Sequence, residues 1–260
     1  MDQIELLLKV ISAFVIGACI GSFINCLIWR RNNNMRITKG RSQCVHCGRT
    51  LTWYENIPVL SFFCLRGQCR TCHKPIPKYY VIVEFFTGIL YVLVFWLAVS
   101  HYQNDWIVLT RDLFFLSVLM IIFVEDCIYQ TIQSEIVWLG IIGGFIFNYF
   151  LGVSALNMVF GAAIGCGFFL IQYIISKGRW IGGGDVRMGG MMGVWLCAPS
   201  ALLAIFFAYV LGAFVGIFLL LGRKRGWNSA IPFGPFLAFS TFLALFFGQP
   251  MIDWYLRWLI

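Results

Sequence analysis

Charge is scarce in this 260-residue chain. Lys, Arg, Asp and Glu together make up 12% of it, and only 11 residues are acidic. With 60% hydrophobic residues and a mean hydropathy of +0.84, that scarcity excludes a soluble domain. The apolar runs lack the residue-by-residue alternation of a membrane barrel strand, which excludes that architecture as well. A basic leader is missing too. The chain opens Met1-Asp2-Gln3-Ile4-Glu5, with no positive n-region and no small-residue cleavage site behind the first apolar run, so that run reads as an uncleaved anchor rather than a signal peptide. Nor is there a glycine-rich strand-turn-helix of the kind that binds nucleotide cofactors in soluble folds.

What the chain has instead is apolar windows long enough to cross a bilayer, which takes about 20 residues per helix. They fall near 5–28, 79–99, 107–124, 136–152, 156–176, 188–198 continuing to 221, and 231–247. The 188–221 stretch is long enough for two spans and is expected to break near Cys197-Ala198-Pro199-Ser200. The fold class is therefore an all-α polytopic membrane protein of about eight transmembrane helices. It divides into a first helix (1–28), a cytoplasmic loop (29–78) and a helical core (79–260).

Orientation follows from the basic residues, which accumulate in cytoplasmic loops. Residues 29–78 contain ten Lys or Arg against one acid, Glu55, and the loops at 177–187 and 222–229 add three each. With those loops inside and the N-terminus outside, sixteen of the nineteen basic residues are cytoplasmic. Anionic membrane lipid accounts for the net charge of +8, and no nucleic-acid partner is needed.

The long loop contains Cys44-Val45-His46-Cys47 and, after 21 intervening residues, Cys69-Arg70-Thr71-Cys72. Two such pairs can wrap one tetrahedral ion, and a reducing compartment argues against disulfides. Zn²⁺ bound by Cys44, Cys47, Cys69 and Cys72 is the expected occupant, with iron the competitor. His46, His73 and Cys64 lie nearby, but four thiolates complete the shell without them. A closed site of this kind is structural and leaves the chemistry to other residues. Cys19, Cys26, Cys127, Cys166 and Cys197 read as small buried hydrophobes.

Among the acids, Asp2, Glu5, Glu55, Asp105, Asp112 and Asp253 read as solvated charges. Glu84, Glu125, Asp126, Glu135 and Asp185 lie in or beside apolar spans, where an ionisable group needs a partner or a function. Topology puts the ends of the spans carrying Asp126 and Asp185 both at the cytoplasmic face, so the two can meet although 59 residues separate them. Two such carboxylates share a proton, and one can activate water while the other polarises a peptide carbonyl. Asp185 is also a good N-cap for a helix beginning at Val186. Gly182, Gly183 and Gly184 before it offer backbone angles closed to other residues and room for a second chain, or a simple turn.

Taken in order, several segments resemble the type IV prepilin peptidases. They are Gly21-Ser22-Phe23-Ile24-Asn25, Arg41-Ser42-Gln43-Cys44 with the two cysteine pairs, and Trp53-Tyr54-Glu55-Asn56-Ile57-Pro58. Val83-Glu84 with Thr87-Gly88, Asp126 with Ile132, Gly182-Gly183-Gly184-Asp185 and Ile231-Pro232-Phe233-Gly234-Pro235-Phe236 complete the series. The resemblance implies that Asp126 and Asp185 are the catalytic pair of a bacterial inner-membrane aspartic peptidase, with spacing to Ile132 favouring Asp126 over Glu125. It implies prepilin or pseudopilin substrates cut at the cytoplasmic face. It further implies N-methylation of the new N-terminus with S-adenosylmethionine, in members that carry the tetracysteine loop. Glu84 is either an interfacial anchor or a buttress of the active site or methyl-transfer pocket. Two positions depart from the pattern: Ile132-Gln133-Ser134 replaces Ile-Pro-Asp, and Arg187 replaces a lysine.

A second reading, from another class, is a non-catalytic membrane scaffold whose zinc module docks a pilus or secretion partner, with both aspartates acting as helix caps. Asn substitutions separate the two, because Asn caps about as well as Asp but cannot replace a titrating carboxylate.

Overall fold

The computed structural model describes residues 3–37, 40–101, 105–221 and 232–259. Asp2, Lys39, Ile231 and the expected basic loop with Arg223, Lys224 and Arg225 lie outside the described residues. Among the described residues there are eight α-helices and no strand: α1 (Gln3–Asn32), α2 (Leu60–Cys64), α3 (Lys78–His101), α4 (Trp106–Tyr129), α5 (Ser134–Phe150), α6 (Ala155–Ser176), α7 (Gly183–Leu221) and α8 (Gly234–Leu259). Six of them are long and apolar enough to cross a membrane. α5, at 17 residues, is a shorter apolar helix of about 25 Å. The chain is a multi-pass membrane protein. Cys19, Cys26, Cys127, Cys166 and Cys197, expected to be buried, are exposed or half-buried instead, because the exposed face of an apolar span is the face that meets lipid.

α7 breaks where the sequence leads one to expect. At 39 residues it would run about 58 Å if straight, nearly twice a bilayer core. Cys197 has φ 58° and ψ 179°, two residues before Pro199. Pro199 has no N–H for the carbonyl of Trp195, four residues back. Buried Asn148 of α5 covers the gap: its Nδ2 donates to the carbonyls of Val194 at 2.9 Å and Trp195 at 3.2 Å. The two halves of α7, α5 and the other five long helices make eight apolar segments.

The chain divides into two compact units, Met1–Leu113 and Phe114–Ile260. In the first, α1 lies against α3 with small residues at the contact: a Cβ on Gly21 would come 2.8 Å from Glu84 Cα, and one on Gly88 2.7 Å from the Phe14 ring. In the second, α6 and α7 touch backbone to backbone along Gly161, Gly165, Gly189 and Gly193. Trp195 stacks on Phe115 at 3.8 Å and donates its indole N–H to the Gly140 carbonyl.

Candidate active site and metal centre

Asp126 lies in the last turn of α4 and is 5% exposed. Gln130, with φ 55°, ends that helix by donating its N–H to the Asp126 carbonyl, and the chain turns through Ile132 into α5. Asp126 Oδ2 accepts the backbone N–H of Gly234, the first residue of α8, at 2.9 Å. Ile132 packs on both sides of this arrangement. A Cβ on Gly234 would meet Ile132 Cδ1 at 3.0 Å, and one on Gly184 would meet Ile132 Cβ at 2.8 Å. Asp185, directly after Gly184, is 9% exposed and feels the charge of Asp126.

Asp185 is not the N-cap of a helix starting at Val186. α7 begins at Gly183, so Asp185 sits in its first turn and reaches back to accept the Gly182 N–H at 3.0 Å. A first-turn acid bonded to the N-cap amide satisfies an orphan donor just as a cap does, and suits the helix dipole. Nor do Gly182, Gly183 and Gly184 have left-handed backbones. What constrains them is space: Gly184 is closed off by Ile132, whereas a Cβ on Gly183 would meet nothing within 4 Å. Bare backbone beside Asp185 is thus open to a second chain.

Glu125, next to Asp126, is 1% exposed and bonded by the side-chain amide of Gln133. The position where the family's pattern has proline therefore holds a buried carboxylate in place. Sequence reading missed this partnership, since neither residue declares the other. Arg187, the second departure, is exposed.

In the N-terminal unit the two cysteine pairs form matched knuckles, the second repeating the first 25 residues on. Cys44 N–H donates to the Arg49 carbonyl and Cys69 N–H to the Lys74 carbonyl, while Gln43 bridges Thr50 and Gln68 bridges Pro75. His73 takes the left-handed conformation that Gly48 has in the first knuckle. The four sulfurs lie within 4.8 Å of one another, and Cys44 Sγ and Cys72 Sγ are 3.9 Å apart. A tetrahedral Zn²⁺ with bonds of about 2.3 Å needs sulfurs about 3.8 Å apart, so the donor set fits. Backbone N–H groups of Cys72 and Thr71 directed at the Cys69 sulfur lower its pKa to about 6, favouring the thiolate. His46 is turned away to the Pro75 carbonyl.

Two acids expected to be solvated are buried. Glu55 is 6% exposed, ion-paired to Arg49 at 2.6 Å and bonded by the Thr52 N–H and hydroxyl, because the loop folds over it as a capping box. Asp112 is 1% exposed and paired with Arg111 at 2.8 Å. Glu84, in the same N-terminal unit, accepts the N–H of Val59 at 2.8 Å and bonds Ser22, so it braces the cysteine loop onto α1 and α3.

Residues 15–98 match the Bacterial Peptidase A24 N-terminal domain, and residues 113–217 match the Type IV leader peptidase family. A prepilin leader peptidase/N-methyltransferase of Aeromonas hydrophila is 32% identical over 230 residues, covering 83% of this chain and 74% of its own length. The chain belongs to the type IV leader peptidase family.

That membership makes it an enzyme and sets aside the scaffold reading. A relative of the same name from Myxococcus xanthus (strain DK1622) is 33% identical, over 82% of this chain and 63% of the relative, so the chain spans less than two thirds of that protein. One from Bacillus subtilis (strain 168) is 29% identical over 94% of this chain and 96% of its own length. No solved structure matches the chain. In this leader peptidase family member the four cysteines fall in the first matched segment and both aspartates in the second. Gly234, the amide partner of Asp126, lies beyond both.

Proposed function

We propose that the chain cleaves the short basic leader from prepilins or pseudopilins at the cytoplasmic face of the bacterial inner membrane, with Asp126 and Asp185 as the catalytic dyad. It then N-methylates the exposed amine. The observation that carries the reading is the convergence of α4, α7 and α8 on Ile132, which gathers Asp126, Asp185 and an exposed glycine backbone. In the hydrolytic step the ionised carboxylate removes a proton from water, and the water oxygen attacks the scissile carbonyl. The protonated carboxyl donates to the carbonyl oxygen. Collapse of the tetrahedral intermediate returns a proton to the departing amine, and the pair titrates as one unit throughout. The Gly234 and Gly182 amides keep the two carboxylates in register. Open backbone at Gly183 gives an extended substrate somewhere to lie.

The cysteine knuckles would hold Zn²⁺ as a structural clamp on the loop that Glu84 and Arg30 fasten to α1, Arg30 by donating to the carbonyls of Gly40 and Arg41 at 2.8 Å. What bound S-adenosylmethionine contributes is an electrophilic methyl group for the amine freed by cleavage. The basic loops support a cytoplasmic placement of this chemistry, with the N-terminus outside.

Incubating the full chain in detergent with a prepilin and weighing the product's N-terminus reads both activities. Asp126→Asn and Asp185→Asn should each abolish cleavage in a protein that still folds. Normal processing by either variant would remove the dyad.

A further inference from the structure

The short helix α2 between the two cysteine knuckles is apolar on the side that a loop in water would make polar. Its inner side, Ser61 and Phe62 with Leu65 just beyond, lines the interior of the cysteine module, and Phe62 lies against Gly67. Its outer side is Leu60, 63% exposed, Phe63, 67% exposed, and Cys64. Ser61, the only hydroxyl in the helix, is thus turned inward. A helix packed on one side that presents apolar residues on the other is not built to face water. Ile57 just before it is exposed as well, and so are Tyr54 and Trp53, the latter 74%, in a 3₁₀ turn over Trp53–Asn56. Large apolar side chains gathered on one short segment mark an interaction surface rather than normal scatter.

Depth identifies what covers it. Val59, the N-cap of α2, donates its N–H to Glu84 Oε2 at 2.8 Å, and Glu84 also bonds Ser22. Both of these residues lie inside apolar windows, 79–99 and 5–28, rather than at helix ends. Glu84 is six residues into α3, roughly 9 Å along its axis, and Ser22 is eight residues short of Arg30, roughly 12 Å. Pro58 lines a cleft together with Phe23 and Cys19 of α1, both exposed on the face that α1 turns to lipid. The patch therefore continues a surface that meets acyl chains. The backbone is strained to reach this position: Val59 has φ 64° and ψ −55°, in a tight turn closed by the Leu60 N–H on the Pro58 carbonyl. Strain of that kind in a β-branched residue persists only where the surroundings hold it, and the Glu84 bond does so.

We propose that residues 57–63 form a wedge seated at the boundary between headgroups and acyl chains, in the leaflet on the side of the cysteine loop, and that lipid is the partner of the exposed face of α2. Amphipathic segments of this kind sink about 5–10 Å into that boundary, which matches the depth of Glu84 in α3. Trp53 and Tyr54 then stand at the level where aromatic rings with a polar edge accumulate. Arg70 donates to the Tyr54 hydroxyl at 2.6 Å, which brings a cation to the same rim for lipid phosphate. A loop that is hydrophilic as a whole thus has one edge in the membrane. Since α2 joins the two knuckles, the wedge sets the height of the cysteine module above the bilayer. The surface is independent of the dyad and of methyl transfer.

The test uses the full chain, metal-loaded, in nanodiscs of phosphatidylethanolamine and phosphatidylglycerol doped with a phospholipid that carries a diazirine on its acyl chain. After irradiation the labelled residues are mapped by mass spectrometry, and hydroxyl-radical oxidation of a parallel sample reports contact with water. Lipid label on Leu60 and Phe63 comparable with that on Phe23, and none on His46, is the expected result. Leu60→Glu and Phe63→Glu alter exposed side chains, so the module should keep its metal while lipid label across 57–63 falls about tenfold, because acyl chains expel a carboxylate. Should a variant lose its metal, the wild-type labelling decides alone. Oxidation of Leu60 and Phe63 without lipid label would put the patch in water and overturn the proposal. Protection from both reagents would mean that a second copy or another protein covers it, which overturns the proposal equally, as does undiminished label in a metal-retaining glutamate variant.

Discussion

Gly234 donates its backbone N–H to Asp126 Oδ2 at 2.9 Å across 108 residues of sequence, and a Cβ at Gly234 would stand 2.7 Å from that same oxygen. The glycine is thus both partner and spacer for the carboxylate. Gly234→Ala should displace the Asp126 side chain while leaving the α8 backbone helical. We expect cleavage to slow by about 10- to 100-fold, since displacing a catalytic group by an ångström costs on that order. Single-turnover cleavage beside a thermal melt checks it. An unchanged rate would mean the carboxylate position is set elsewhere.

The three glycines before Asp185 make a sharper contrast. Gly184→Ala would drive a methyl into Ile132 at 2.8 Å, whereas Gly183→Ala meets nothing. The expected result is a fall in kcat for the first. For the second, kcat should hold while KM rises, if the open backbone is where substrate lies. Equal effects at the two positions would refute this division of labour.

Much of the architecture was readable in the chain because apolar length is a strong signal. The break of α7 at Cys197 was foreshadowed by Pro199, and the gathering of Cys44, Cys47, Cys69 and Cys72 into one cluster by their spacing. The partners of buried polar groups were not readable. Glu55 looks like any loop acid until Arg49 and Thr52 close over it, and Asp112 looks solvated until the helix carrying it is seen packed. Gly182, Gly183 and Gly184 suggested unusual backbone angles, but what selects glycine at 184 is the bulk of Ile132, a residue 52 positions earlier. Gln133 interrupts a familiar motif, and only the fold gives it a role at Glu125.

Asn148 is such a buried partner with a measurable consequence. Its amide serves two carbonyls freed at the break in α7. Asn148→Leu should destabilise the C-terminal unit by about 1–3 kcal/mol, the cost of orphaning a buried acceptor. A lowered midpoint in thermal or denaturant unfolding in detergent tests this, and an unchanged midpoint would show that the break is held without the asparagine.

Glu55 ties the stability of the cysteine module to acid. Burial alone would raise its pKa, but the Arg49 guanidinium and the Thr52 bonds outweigh it and hold the carboxyl at about 2, down from the usual 4.5. A group depressed in this way stabilises the fold fully above its unfolded pKa and loses that contribution as pH falls through the folded one. The window is therefore about pH 5 to pH 2. Acid also protonates the cysteine thiolates and would release a metal held by them, so the wild type alone cannot isolate the effect. Glu55→Gln can, because it keeps the shape and drops the charge. Hydrogen exchange across residues 42–76 should show the variant less protected at pH 6. The gap between variant and wild type should then shrink steadily as pH falls from 5, since the wild-type carboxylate is itself being protonated. A gap that stays constant with pH would mean that Glu55 holds the module by shape alone.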